Sequence, residues 1–378
     1  MRRLLTATLC IALMGCAQAQ GDLPFEVKPI TSFDQPWALA FLPDGRMLVT
    51  EKKGNVFIVT QDGQKSRPLS GVPDVDYGGQ GGLADVALHP DFADNRLVYL
   101  SYAEAGTGGT RGAAVARGVL TETERGGNLS DVEVIWRQYP KVVGRGHYGH
   151  RLLFDDDGYL WITSGDRQKF TPAQDMQANL GKILRLYTDG SVPDDNPFVD
   201  YESQNAFVDD EGVYGQIWTL GHRNPLGIAI DLDGQLWNIE MGPRGGDELN
   251  RVVRGANYGY PVVSNGEHYD GREIPNHDTH PEFNAPAVWW TPVISPGNLM
   301  FYSGDMFGDW HGDALVAGLS SQAIIRIEID GDAAREVERY DMNARIRSVV
   351  QGPDGALWVL EDERGDSTGR LLKLTANN

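Results

Sequence analysis

Cysteine is nearly absent from this chain: of 378 residues only Cys10 and Cys16 are cysteines. A mature chain that begins after them has no disulfide and no cysteine metal site, so a buried core must hold it together. Long apolar runs are missing too. Beyond the N-terminus no stretch approaches the roughly 18 residues a membrane-spanning helix requires. Positive charge is in short supply: without Arg2 and Arg3, the 33 basic side chains fall to 31 against 53 acidic ones, a net charge of −22 with histidine neutral. Such a surface repels nucleic acid and anionic lipid and suits a well-hydrated secreted protein. Helical periodicity is scarce, and no G-x-S-x-G elbow occurs, which removes the serine hydrolases that carry it.

The first nineteen residues, MRRLLTATLCIALMGCAQA, combine a basic start, a short apolar core and small residues at the end. They read as an export signal over 1–19, leaving 20–378 as a single domain. Two exits are open. Leu13-Met14-Gly15-Cys16 resembles a bacterial lipobox, which would anchor an outer-membrane lipoprotein at Cys16, whereas Ala17-Gln18-Ala19 resembles the cleavage site of a soluble protein. Met14 departs from the lipobox pattern and favours release into the periplasm or medium.

Glycine is abundant, at 46 residues, and four segments share one plan. "WALAFLPDGRMLVTE" from Trp37, "RLLFDDDGYLWITSGD" from Arg151, "LGIAIDLDGQLWNIEMG" from Leu226 and "IRSVVQGPDGALWVLEDE" from Ile346 each place an Asp-Gly turn between two apolar strands. Both turn residues tolerate positive φ, glycine at no steric cost. Repeated hairpins of this size predict an all-β, six-bladed β-propeller, in which radial repetition lets one domain absorb the whole length; a pair of β-sandwiches is the alternative. The irregular stretch 261–292 reads as an insertion between strands.

Gly144, Gly146 and Gly149 have the G-x-G-x-x-G spacing of a dinucleotide loop. That fingerprint needs a helix after it, and Arg151 to Thr163 reads as a hairpin, so NAD binding is set aside. His147 and His150 would point to opposite faces at a strand edge, which argues against a shared zinc and leaves His147 as a candidate general base. In "LGHRNPLG", Pro225 holds Asn224 extended, so His222, Arg223 and Asn224 are presented from a stiff turn. In "EMGPRGGDELNRVVRGANYGYP", carbonyls at Gly242 and Pro243 and oxygens of Glu248 and Tyr258 suit a hard cation such as calcium. Arg345 and Arg347 alternate on one strand face, where two like charges call for an anion. Trp290 is either an aromatic wall for a sugar or a core residue.

These motifs, with "GQGGLADVALHPDF", "GHYGHRLLF" and "RIRSV" in order, resemble the soluble PQQ-dependent glucose dehydrogenase and aldose sugar dehydrogenase family across nearly all of the mature chain. The resemblance implies oxidation of an aldose at C1 to a lactone by hydride transfer to pyrroloquinoline quinone (PQQ), with electrons passed to an external acceptor. It implies His147 as general base and Arg223 as the group that stabilises charge developing on the quinone oxygen. Cofactor contacts would come from Gln80, His147, Arg223, Asn224, Tyr269, Asp270, Gly271, Arg345 and Arg347. Gly242 and Pro243 would hold the calcium that also touches the quinone, and Glu248 and Tyr258 a second, structural calcium.

One departure stands out. Family members that bind the quinone strongly carry a lysine where this chain has "VAGLSSQAI", with Ser320 at or near that position, which leaves one of the three quinone carboxylates without its ammonium. A calcium-dependent propeller lactonase and a non-catalytic sugar-binding propeller are the competing functions. The lactonase has no use for Arg345 and Arg347, and the binding module does not need His147. The sequence leaves the oligomeric state, monomer or dimer, open.

Overall fold

The computed structural model describes residues 23–201 and 213–377; the expected export signal, with its lipobox-like Cys16 and its Ala17-Gln18-Ala19 site, lies outside them. Among the described residues no helix is long and apolar enough to cross a membrane.

The chain forms six antiparallel sheets, taken in chain order as blades one to six. Their inner strands are Pro36–Phe41, Leu83–Leu88, Gly149–Phe154, Pro225–Ile230, Pro296–Phe301 and Ile346–Gln351. Blade six is completed by the N-terminal strand Phe25–Ser32, which pairs with Arg370–Ala376 so that Phe25 faces Ala376. This joins the two ends of the chain in one sheet and closes the ring. Six apolar clusters fill the spaces between neighbouring blades, blades six and one included. A pair of sandwiches has no place for six such interfaces, so the propeller expectation holds.

Second strands are sealed on both faces. Met47–Glu51, Leu160–Ser164, Leu236–Glu240, Ala314–Gly318 and Leu357–Glu361 are buried at every residue, which is why they read as near-continuous apolar runs. Outer strands alternate or face solvent, as Ala333–Asp341 does. The four Asp-Gly turns lie where the repeats place them. Only the glycines use positive φ, with Gly45 at 85°, Gly158 at 82°, Gly234 at 83° and Gly355 at 80°. The aspartates of these turn segments act instead through their side chains: Asp155 and Asp231 accept from the indole N–H of Trp161 (2.7 Å) and Trp237 (2.8 Å).

The inner strand of every blade carries an irregularity in its pairing with the second strand, toward the first residue of the inner strand. Such bulges twist a strand and re-aim its side chains. Below this level the axis is plugged by Arg151, which pairs with Asp85 at 3.1 Å, donates to the carbonyls of Leu226 and Gly297 and stacks on Trp37 at 3.9 Å. One side chain from blade three thereby touches blades one, two, four and five. Of the stretch 261–292, residues 261–287 are an excursion between Asp247–Arg251 and Val288–Trp290, whereas Val288–Trp290 itself is the last strand of blade four, so the insertion is shorter than expected.

Candidate active site

The first residues of the bulged inner strands and the residues just after the second strands converge on one mouth. A cavity of about 640 Å³ opens there, lined among others by Gln80, Gly146, Gly149, Asn224, Arg345 and Arg347. A wider cavity of about 1090 Å³ adjoins it through Met241 and Ser295, and its wall includes Gly242, Pro243 and Tyr269.

His147 sits between cavity-lining neighbours and is held at three points. Its N–H donates to Gln80 Oε1 at 2.7 Å, its carbonyl accepts from Arg167 N–H at 3.1 Å, and its Nδ1 lies 2.7 Å from Asp166 Oδ1. Asp166 also accepts from the backbone N–H groups of Gln168 and Phe170. A carboxylate in that setting accepts, so Nδ1 carries the proton and Nε2 keeps its lone pair. The Asp166 side chain has no accessible surface while that of His147 retains 6%. The acid is sealed and the base remains reachable. Burial pushes the His147 pKa below its ordinary value, Asp166 opposes that shift, and the charges of Arg223 and Arg167 add to it, so the imidazole is neutral at pH 7.

The backbone here is strained. His147, His150, Arg167, Gln168 and Phe170 are five of the eleven described non-glycine residues with positive φ. Such conformations cost about 1 kcal/mol or more each and persist only under external constraint. The constraint is visible. Arg167 donates to the carbonyls of Gly144 (2.6 Å), Gly146 (2.9 Å) and Arg111 (2.8 Å) and lies 3.7 Å over the Tyr148 ring. A Cβ on Gly149 would stand 2.5 Å from Thr163 O, and one on Gly165 would stand 2.3 Å from His147 O. Gly149, the last glycine of the G-x-G-x-x-G spacing, and Gly165 therefore let the His147 loop press against the end of the strand Leu160–Ser164, just before Asp166. The strand Gly149–Phe154 follows them where a dinucleotide site needs a helix.

Arg223 is buried, donating through Nη1 to the carbonyls of Met241 (2.8 Å) and Gly242 (2.6 Å) and through Nη2 to Tyr269 Oη (3.3 Å), with Nε left without a partner among the described residues. Asn224 Oδ1 accepts from Gly149 N–H at 3.2 Å, tying blade four to the His147 loop. Arg345 and Arg347 do share one side, and their anion is in part internal: Asp362 lies 3.1 Å from Arg345 Nε and 3.3 Å from Arg347 Nη2.

The remaining expected residues are more dispersed. Tyr269 reaches the wider cavity, but Asp270 forms an exposed pair with Arg272 and Gly271 lies in open space; neither lines a cavity. Gly242, Pro243, Glu248 and Tyr258 share a narrow recess below the wider cavity. The Tyr258 hydroxyl is already engaged, donating to Arg251 O and accepting from Val253 N–H, so its carbonyl is the oxygen left for a cation. Glu248 is buried with its pKa raised, first by burial, and stands 3.7 Å from His277. Among the described residues no group of three or more His, Cys, Asp or Glu is arranged to hold a metal. Trp290 is core: it is buried and its indole donates to Glu336 at 2.6 Å. His222 is structural, bridging Glu240 and Thr219 and stacked on Tyr258.

Asp166 escaped the motif reading, yet the repeats carry its signal. An acid stands at or just past the end of the second strand in blades one, three, four and six, and each holds a group near the entry of its own blade. Glu51 accepts from Asp34 N–H, Asp166 holds His147, Glu240 holds His222 and the Arg223 N–H, and Asp362 holds both strand arginines. Aligned on their Asp-Gly turns, the repeats put Glu51 and Glu240 at one position, with Asp362 one residue later and Asp166 two, so the shared feature is an acid near the end of the second strand rather than a single aligned position.

Residues 33–373 match the family model described as Glucose / Sorbosone dehydrogenase. The aldose sugar dehydrogenase YliI of Escherichia coli (strain K12) is 40% identical over 353 residues, which is 91% of this chain and 91% of that protein. The apo crystal structure of the soluble aldose sugar dehydrogenase from Escherichia coli matches with a TM-score of 0.84 at 39% identity, covering 93% of this chain and 100% of that one. The PQQ-bound aldose sugar dehydrogenase from Streptomyces coelicolor matches with a TM-score of 0.74 at 27% identity, over 93% and 98% of the two chains. Similarity that runs through every blade, with the basic cavity and the buried histidine in place, leaves one conclusion: the chain belongs to the glucose/sorbosone dehydrogenase family.

Proposed function

We propose that this chain is a PQQ-dependent aldose dehydrogenase that oxidises its sugar at C1 to a lactone and passes the electrons to an external acceptor. The observation that carries this reading is the His147–Asp166 pair, 2.7 Å apart and buried, beside a cavity walled by Arg345 and Arg347. A proton acceptor and a cationic pocket for a polycarboxylate are the two things such a reaction asks of the protein.

The residues fit the cofactor. Buried N–H groups at Arg223 Nε and Arg347 Nε have no acceptor among the described residues, and Asp362 neutralises only one of the two strand arginines. A ligand bearing three carboxylates answers both. Arg345, Arg347, Gln80 and Asn224 would hold it, with Tyr269 on the wall of the wider cavity and Arg223 hydrogen-bonded to it from the narrow recess. Asp270 and Gly271 would enter only if the loop bearing Tyr269 closed. When bound, PQQ supplies the hydride acceptor. His147 Nε2 takes the proton of the anomeric hydroxyl, and Asp166 stabilises the imidazolium that results. Arg223 places positive charge where oxyanion character develops. Asn265, Glu267 and Glu273 in the wider cavity offer partners to a hydroxyl-rich substrate.

Calcium is part of the same proposal. Pro243 O makes no hydrogen bond among the described residues and Gly242 O accepts one, from Arg223, so both retain a lone pair for a hard cation. Glu248 with the Tyr258 carbonyl would hold a second ion. Export by the leader, as a free periplasmic or secreted protein or as a lipoprotein on Cys16, belongs to this reading as well. The lactonase alternative asks for acidic or amide metal ligands around the central channel and has no use for Arg345 and Arg347, which line the cavity here.

The test is dye reduction by the purified apoprotein with a panel of aldoses, omitting PQQ, calcium or sugar in turn. Turnover that needs all three is the expected result. Lactone hydrolysis without PQQ overturns the proposal. His147→Ala is expected to lose turnover and keep PQQ binding.

A further inference from the structure

The blades can be aligned by their pairing. Pro36, Pro225, Pro296 and Ile346 face Glu51, Glu240, Gly318 and Glu361, so the next residues, Lys52, Met241, Leu319 and Asp362, occupy equivalent places. All four line the central cavity. Two are apolar, one is an acid, and one is a cation that none of the sequence motifs singled out.

Lys52 Nζ donates to Gly79 O at 2.9 Å and makes no ion pair among the described residues. The carboxylate across the cavity, Asp362, is already shared by Arg345 and Arg347. Arg364 adds a further cation to the same wall. Burial and the charge of Arg347 depress the Lys52 pKa, which places the ammonium within the field of that arginine. Asp362 attracts Lys52 but is shared with two arginines, so this half-buried ammonium, without an ion pair of its own among the described residues, has charge left for an anion. Blade five presents the contrast. Its equivalent residue is Leu319, while Ser320, one position on, is exposed and turns its hydroxyl to Ser295 Oγ (2.8 Å) and Val293 O (3.2 Å).

We propose that Lys52 binds a carboxylate of the quinone from the blade-one side, taking over the contact that a lysine near Ser320 would make from blade five. The inference rests on the PQQ reading above. It adds a blade-one cation to the strand arginines of blade six.

Equilibrium titration of PQQ into calcium-loaded apoprotein, at low and high ionic strength, tests it. Lys52→Met is expected to raise the Kd about tenfold or more, the usual scale for a charge-assisted contact, and to flatten its salt dependence. Lys52→Arg is expected to restore binding to within about threefold. Lys53→Met, an equal charge change at the neighbouring exposed residue paired with Asp34, is expected to leave the Kd unchanged. A Lys52→Met protein that binds within twofold of wild type, or a Lys53→Met protein equally impaired, overturns the inference while PQQ binding stands. Wild-type protein that fails to bind PQQ removes the functional reading and the inference together. Apoprotein unfolding midpoints separate lost binding from lost folding, and Lys52→Gln serves if the methionine variant does not fold.

Discussion

Replacing Asp166 by Asn changes almost no volume and removes one charge at 2.7 Å from the His147 imidazole. Both carboxylate oxygens accept backbone N–H groups, Oδ1 from Gln168 and Oδ2 from Phe170, so an amide must turn its NH₂ toward one of these donors. If the NH₂ faces His147, the ring must put its proton on Nε2, where the base is needed. If it faces Phe170, the ring is still oriented but its imidazolium loses a countercharge. With charge centres roughly 4 Å apart and an effective dielectric of about 20, that loss is about 4 kcal/mol, or roughly 10³ in rate. The pH profile gives a second readout. Because Asp166 raises the His147 pKa against the effect of burial, its removal moves the acid limb to lower pH while the plateau drops. Steady-state kcat and kcat/KM from pH 4 to 9 at saturating PQQ, with the PQQ Kd as a control, measure both. A plateau within tenfold of wild type, or an acid limb displaced upward, refutes the assignment of Asp166 as the residue that orients and charges the base.

Two further outcomes follow from buried charge. Arg151→Met leaves Asp85 buried without its partner and strips donors from Leu226 O and Gly297 O; a loss of about 3–5 kcal/mol in urea unfolding is expected, with partial recovery on adding Asp85→Asn. A loss below about 1 kcal/mol contradicts the axial role of Arg151. Lys182 is fully buried, its Nζ donating to the carbonyls of Pro172, Ala173 and Leu180, and burial pushes its pKa down to about 7. The folded state therefore releases this proton before the unfolded chain does, so stability rises with pH between about 7 and 10, by at most about 1.4 kcal/mol per pH unit. Lys182→Met is expected to abolish that part of the rise, and equal slopes in the two proteins contradict it.

Much of the molecule was legible because it repeats. Four Asp-Gly hairpins sufficed to expect radial blades, and the ordered motifs singled out His147, Arg223, Asn224, Arg345 and Arg347 from the chain alone. A motif names residues that lie close along the chain, however, and the site joins distant ones. Asp166 lies nineteen residues from His147 along the chain and meets it only because the inner and second strands of one blade run antiparallel. Lys52 reaches Arg347 only because the last blade closes on the first.

What the sequence determined by itself is therefore local or periodic: strand and turn, the repeat, the stiff Asn224-Pro225 entry, the same-face arginines. Tertiary structure alone decided the rest. It chose the core for Trp290, left Asp270 and Gly271 outside the cavities, engaged the Tyr258 hydroxyl and set Lys52 in the mouth. The physical reason is that periodicity specifies which face of a strand is apolar, whereas burial, charge and hydrogen-bond partners depend on how the twisted blades close into a ring.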